Sequence, residues 1–357
     1  MKSFIFDKKK ISIVNRVRIA ENRDLKKGLR LNRNERVENF EKNILIKIFK
    51  NSKSYDLGKY PDQNHIYKII SNFLKINEDN IIISSGIDGS LKSIFEIFTD
   101  VNDEIAILSP TYAMYEVYSK IFKTKIIRVG YKNFKLQKKQ LYKVINNKKI
   151  KILFIPNPNQ PIDDYISSKE IQKISKLCKK NKIMLVIDEA YHMFGSQTSA
   201  NLSLKNDHVL TLRTLSKSFG LPSIRFGYVI ASKKIIKIFN SYRLSYESNY
   251  LTDKVVEFFI KNFAQVKSYI TRVVRGRNYL SKELRKINIQ VIGGTGNFLL
   301  INFNSKELLD KVLKIFMNEK IYVKAKYQGE LANCILVTCG PLNVMKKLFN
   351  KIKLAIK

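Results

Sequence analysis

The stretch Leu212-Arg213-Thr214-Leu215-Ser216-Lys217-Ser218-Phe219-Gly220-Leu221-Pro222-Ser223-Ile224-Arg225-Phe226-Gly227-Tyr228 sets one lysine, Lys217, among the small hydroxyl residues Thr214, Ser216 and Ser218. Arg225 follows, and apolar runs bracket the whole, His208 to Leu212 before it and Phe226 to Ala231 after it. A lysine held in a pocket between strands can lose its proton and become an amine nucleophile. Hydroxyls beside a guanidinium hold a phosphate. In a chain with 66 Lys and Arg residues, however, a basic loop is ordinarily solvated surface. Only a second, independent set of residues can decide between the two.

Outward from this stretch, apolar runs of strand length alternate with helical stretches. They are Ile81 to Ser84, Ile105 to Leu108, Lys125 to Val129, Ile150 to Ile155, Ile183 to Ile187, His208 to Leu212 and Phe226 to Ala231. Runs that are continuously apolar, rather than alternating, and are separated by helices imply a parallel sheet covered on both faces. The expected fold is therefore α/β, a large domain with a mostly parallel seven-stranded sheet, and a smaller α+β domain behind it. A helical pattern covers Phe40 to Phe49, and Tyr60-Pro61-Asp62 forms a turn with Asp62 placed to cap a helix carrying Ile66, Ile69, Ile70 and Phe73. After Ala231 come a long helical segment from Leu251 to Ile287, the run Asn297 to Ile301, a helix at Lys306 to Asn318, short strands near Ile321 to Lys324 and Ile335 to Thr338, and a terminal helix after Pro341. The expected division is an N-terminal arm at 1–30, a large domain at 31–245 whose N-terminal segment contributes to the small domain, and a small domain at 246–357.

Composition excludes several classes. No apolar run approaches the ~18 residues of a membrane span, and Met1 to Lys10 carries charges where a signal peptide needs an apolar stretch. Cys178, Cys334 and Cys339 are too scattered for a disulfide framework or a zinc site, which agrees with a reducing, cytoplasmic compartment. With 3 histidines in the chain, an imidazole-bound catalytic metal is not expected. The formal charge of +36 would favour nucleic acid or an anionic membrane if it were clustered. Here the lysines run through every expected helix, interleaved with Ile and Asn, and no basic tail stands out. That is the pattern of A/T-rich coding sequence, with anionic ligands as the remaining explanation; neither a specific nucleic acid nor a membrane partner is expected.

In a doubly wound sheet, ligands sit beyond the carboxyl ends of the strands. Ser84-Ser85-Gly86-Ile87-Asp88-Gly89 opens a helix whose N–H groups and dipole suit a phosphate. Ser109-Pro110-Thr111-Tyr112 puts an aromatic ring at the pocket mouth, and Pro156-Asn157-Pro158-Asn159-Gln160-Pro161 is a rigid loop with carboxamides. Asp188-Glu189-Ala190-Tyr191 places a carboxylate at a buried strand end, which is costly unless a cation, such as a heteroaromatic nitrogen, pairs with it. A lysine for an imine, an acid for a pyridinium, a phosphate cup and a stacking aromatic are together the requirements of pyridoxal 5′-phosphate.

These residues resemble the fold-type I pyridoxal-phosphate enzymes of the aminotransferase class I/II group, and most of all the histidinol-phosphate aminotransferase branch. The similarity runs from about Leu31 to the C-terminus and is densest at Tyr60 to Asp62, Pro110 to Tyr112, Asn157 to Pro161, Asp188 to Tyr191 and Leu212 to Tyr228. It implies that Lys217 is the Schiff-base lysine and Asp188 the partner of the pyridinium nitrogen. Tyr191 and Gln160 then contact the ring hydroxyl, and Tyr112 stacks on the ring. Thr214, Ser216, Arg225 and the backbone of Gly86, Ile87 and Asp88 hold the phosphate, with Tyr60 reaching in from the second subunit of a homodimer.

The chain departs from the family pattern in three places. The asparagine of the family's Asn-Pro-Thr-Gly element is Gln160, and its Thr-Gly pair is Ile162-Asp163. An N-terminal Asn-Glu-Asn-Pro element is replaced by Asn34-Glu35-Arg36-Val37. An arginine that binds the substrate's carboxylate or phosphate, in an Arg-Ile-Thr-Val-Gly context, is Leu336, and a neighbouring arginine is Lys324, a point charge rather than a fork. Candidates for holding the substrate are therefore Arg33, Asn34, Glu35, Arg36, Lys324 and, beside it, Lys326. The leading expectation is transfer of an amino group between an amino donor and a small anionic, for instance phosphorylated, keto or amino compound. Two alternatives are a decarboxylase of a phosphorylated amino acid on the same scaffold and a non-catalytic protein that keeps the fold.

Overall fold

The structure, a computed structural model, describes residues 28–147 and 149–356. Nearly all of the expected arm at 1–30 lies outside the described residues. Among the described residues there are thirteen strands: β1 (Leu29–Leu31), β2 (Ile81–Ser84), β3 (Glu104–Ser109), β4 (Lys125–Lys132), β5 (Lys135–Leu136), β6 (Ile150–Pro156), β7 (Met184–Asp188), β8 (Val209–Thr214), β9 (Gly227–Ile230), β10 (Gln290–Ile292), β11 (Phe298–Asn302), β12 (Ile321–Val323) and β13 (Cys334–Thr338). The large sheet has eight strands in the order β2-β9-β8-β7-β6-β3-β4-β5. The seven expected runs are all there. The eighth, β5, is a two-residue return paired antiparallel to β4, too short to leave a pattern in the sequence.

The apolar runs are continuous because the sheet is covered on both faces. Side chains alternate along a strand, and here each parity meets its own helices. Ile105, Ile107, Ile152, Phe154 and Val186 pack with the helices Gly86–Phe98 and Met114–Ile121. The alternating residues Ala106, Leu108, Leu153, Ile155 and Ile187 pack with the helices Lys138–Ile145 and Ser168–Lys180 on the other face. Strands β3, β4, β6, β7 and β8 pair in parallel, and β9 is antiparallel to both β8 and β2. The carboxyl ends of β2, β3, β6, β7 and β8 therefore open on one edge, and β9 begins there.

Asp62 caps the helix Gln63–Leu74 as the sequence implies, its carboxylate accepting the N–H groups of Asn64 and His65. The long helical stretch from Leu251 is two helices, Tyr250–Lys261 and Phe263–Lys286, broken at Asn262, whose side chain turns back to donate to Phe258 O at 2.9 Å. The first of them carries Val255, Val256 and Phe259 into the cluster that contains Ile66, Ile81 and Tyr228, so a boundary at 245/246 would cut through a packed core.

A second cluster gathers the C-terminal elements around β11, which lies between β10 and β13. The chain's beginning belongs to it too: β1 pairs in parallel with β12, Leu31 opposite Val323. Ile162, Tyr191 and Phe194, from loops of the large sheet, are also members.

Candidate active site

Lys217 follows β8 in a tight series of bends. Its ammonium donates to the carbonyls of Arg33 and Asn34 at 3.1 and 3.2 Å, two neutral acceptors supplied by the segment after β1. Burial lowers its pKa to about 8, the Glu35 carboxylate opposing and the Arg225 guanidinium adding to the effect. The free amine is therefore within reach of neutral pH, which is what a lysine nucleophile or base requires.

Asp188 ends β7 and is 4% exposed. It accepts the Tyr115 hydroxyl at 2.7 Å and the Ala190 N–H at 2.9 Å. Burial raises its pKa to about 6 against the lowering effect of those two bonds, and among the described residues no cation stands within ion-pair distance of it. A buried carboxylate so placed fits a positively charged ring nitrogen.

Beside these residues, two glycines shape a tight turn. Gly86 has φ +69°, and a Cβ there would lie 2.9 Å from Nη2 of Arg225. Gly227 opens β9 opposite both Ser84 and Thr214, and a Cβ on it would meet the Gly86 backbone at 2.7 Å. Strand β9 is thereby brought against the turn that starts the helix Gly86–Phe98, whose first N–H groups receive no side-chain cap. Thr214 Oγ1 lies 2.9 Å from the Ser216 hydroxyl and accepts the Ser216 N–H at 3.1 Å. Asp88 bridges the Tyr112 hydroxyl, at 2.8 Å, and the Arg225 guanidinium, at 3.4 Å. Uncapped N–H groups, hydroxyls and a guanidinium around a glycine turn make an anion site.

Asn34 joins the parts. Its Nδ2 donates to the Tyr191 hydroxyl at 2.8 Å, its N–H to Thr338 Oγ1 at 2.8 Å, and its carbonyl accepts both Lys217 and Asn297 Nδ2. One residue thus links β13, the loop before β11 and the two large-domain residues at the centre of the site.

A family model described as Aminotransferase class I and II matches residues 45–352. The chain belongs to the class I and II aminotransferases. Histidinol-phosphate aminotransferase of Buchnera aphidicola subsp. Cinara cedri is 31% identical over 312 residues, covering 84% of this chain and 86% of the relative. The enzyme of that name from Clostridium novyi is 29% identical over 330 residues, covering 91% of each. In fold, the chain is similar to histidinol-phosphate aminotransferase from Sinorhizobium meliloti in complex with pyridoxal-5′-phosphate, with a TM-score of 0.83 at 17% identity over 92% of this chain and 90% of that one. Class I and II aminotransferases are pyridoxal-phosphate enzymes, and the uncompensated Asp188 and the glycine-lined cup beside Arg225 fit that cofactor.

The aminotransferase departures have visible structural counterparts. Gln160 is half-buried and has no hydrogen-bond partner among the described residues. Its neighbour Asn159 is the residue that ties the loops after β3 and β6, accepting Thr111 Oγ1 at 2.7 Å and donating to Pro110 O at 2.9 Å. Asp163 accepts the N–H groups of Gly294, Thr295 and Gly296 at 2.9, 2.7 and 3.2 Å, and the Thr295 hydroxyl as well. Asp163→Ala is expected to cost about 3 kcal/mol of unfolding free energy in a denaturant titration, because several donors in a largely buried loop lose their acceptor together. A loss below about 1 kcal/mol would show that water replaces the carboxylate without penalty.

Arg36, a candidate anion binder on sequence grounds, is committed elsewhere. Its guanidinium pairs with Glu38 at 2.8 Å and lies between the rings of Phe40 and Tyr269, 4.0 and 4.2 Å from their centroids. Glu35 pairs with Arg30, and Arg33 contributes its carbonyl to Lys217. Leu336 is 1% exposed within the small-domain core, and Lys324 bridges to it across the backbone. Tyr60 is 80% exposed and stacks on Tyr246, centroids 4.5 Å apart.

Local sequence assigns no role to Tyr115, Asn159, Asn297 or Gly227. The first two and Gly227 lie in or beside strand-end motifs, and that position is the signal that marks them. Nothing local marks Asn297, which meets Asn34 from 263 positions away.

Proposed function

We propose that this aminotransferase moves an amino group between a 2-oxo acid and a small amine that ends in an anion, a phosphate monoester such as histidinol phosphate. The observation that carries the reading is the pairing of a partly buried lysine with lowered pKa and a buried, cation-free carboxylate at adjacent strand ends, β8 and β7. The phosphate ester is supported by the names of the relatives. When bound, pyridoxal phosphate supplies an electron sink for the pair released at the substrate's Cα. Lys217 Nζ would hold the cofactor through its aldehyde carbon, and its free amine would then act as the general base that takes the proton from the substrate's Cα and delivers it to that carbon. Asp188 would keep the ring nitrogen protonated through its charge, with Tyr115 orienting Asp188. Tyr191 and Gln160 would contact the ring hydroxyl and Tyr112 the ring. Gly86, Ile87, Asp88, Thr214, Ser216 and Arg225 would hold the phosphate.

The protein works in this reading as a cytoplasmic homodimer. Leu45, Ile46, Leu57, Tyr60, Leu244 and Leu251 are all exposed by half or more, and the Tyr60–Tyr246 stack joins the two segments that carry them. A patch of this kind is what a second subunit covers, with Tyr60 then free to reach its partner's phosphate cup. The buried, unpaired state of Cys178, Cys334 and Cys339 agrees with a reducing compartment, and no helix among the described residues is long and apolar enough to cross a membrane.

The test is a half-reaction screen. Protein reconstituted with pyridoxal phosphate is mixed with histidinol phosphate, histidinol, glutamate and phosphoserine, and the visible absorbance and product masses are followed. A ketone from the phosphate ester is the expected outcome. Carbon dioxide released from phosphoserine without a keto product would favour the lyase, and no spectral change with any amine would favour a binding protein.

A further inference from the structure

We propose that the hydroxyl of Tyr327, set beside Lys324, supplies the second donor to the anionic end of the substrate, in place of the arginine that this chain lacks at Leu336. The inference rests on the proposed anion-terminated substrate and names the residue that recognises it. Position 336 lies on β13 two residues before Thr338, so both side chains leave the strand on the same face, the one that Asn34 crosses through its bonds to Thr338. A leucine there offers no donor. Lys324 is the strand neighbour of Leu336, its N–H donating to Leu336 O at 3.1 Å and its carbonyl accepting the Leu336 N–H at 2.8 Å.

The Lys324 side chain reaches solvent, has no carboxylate partner among the described residues, and has its pKa lowered by partial burial. It lies 5.6 Å from the centroid of the Tyr327 ring. Tyr327 packs against the cluster that holds Tyr191 and Leu336, and its hydroxyl is buried with no hydrogen-bond partner. A cation without a counter-charge beside a ring whose buried hydroxyl has no partner provides the two halves of an oxyanion receptor. The other nearby guanidiniums are occupied, Arg36 by Glu38 and Arg30 by Glu35. An ammonium and a phenol replace the fork of an arginine with two donors on separate stems, so the receptor accepts one oxygen from each and takes a phosphate monoester or a carboxylate.

Tyr327→Phe removes only the hydroxyl from a ring that keeps its packing. In the holoenzyme it is expected to raise KM for histidinol phosphate about ten-fold, the worth of one hydrogen bond to a charged group, with kcat within about two-fold. KM for histidinol, which lacks the phosphate, should not change. Calorimetric titration of the holoenzyme with inorganic phosphate and with glutarate, before and after the substitution, separates the two anion sources, and about ten-fold weaker binding of at least one is expected. Equal losses for histidinol and its phosphate, or unchanged binding of both anions, would overturn the inference. If no amine is turned over, the proposed reaction fails, and the calorimetric comparison still decides the role of Tyr327.

Discussion

Lys217→Ala is expected to lower the rate of amino-group transfer by about 10⁴-fold, the upper end of what a positioned general base supplies, before the loss of covalent anchoring is added. The fold should survive, because Asn34 keeps its bonds to Thr338, Tyr191 and Asn297 without the ammonium. Single-turnover conversion of the amino donor is the measurement. A small primary amine added to the medium should restore part of the rate in proportion to its concentration, which a merely structural lysine would not allow. Activity within about ten-fold of wild type would remove Lys217 from the chemistry.

The second large effect belongs to Asp188→Asn, and it has two readouts of opposite sign. Transfer should fall by about 10³-fold, as when one preorganised electrostatic partner is removed. The cofactor-free protein, by contrast, should gain stability at neutral pH. Burial raises the Asp188 pKa from 3.8 to about 6, so between those values the folded chain binds more protons than the unfolded one. The contribution is therefore fully present below about pH 4 and lost as pH rises through about 6, a difference of roughly 3 kcal/mol. Melting of the cofactor-free protein across this range should show that slope in the wild type and lose it in Asp188→Asn. An unchanged slope would mean that Asp188 is not the group titrating.

Local sequence carries the sheet and the strand-end motifs because both depend on neighbours along the chain. Ile105 to Leu108 or Met184 to Ile187 must be apolar on both parities to lie under helices on both faces, and that constraint is visible in a few letters. Lys217, Asp188 and the Gly86 turn are visible for a related reason, since each lies at or just beyond the end of a strand. Partners chosen by tertiary packing leave no such trace. Tyr115 reaches Asp188 across 73 positions, and Asp163 meets the Gly294 to Gly296 loop across more than 130. The commitment of Arg36 to Glu38 and two rings is invisible for the same reason, since only the fold brings Tyr269 beside it. The break at Asn262 escapes because the apolar pattern continues in phase on either side of it.

Shared membership of cores has a further consequence for how this chain can be divided. Ile162, Tyr191 and Phe194 leave the large sheet to pack among C-terminal residues, while Val255, Val256 and Phe259 travel the other way. Severing the polypeptide between the lobes would strip apolar surface from both pieces at once, so neither half is a module that recombination could transplant intact. The groups proposed for catalysis sit along that seam, and a substitution that loosens either lobe is expected to be felt at Lys217 through Asn34.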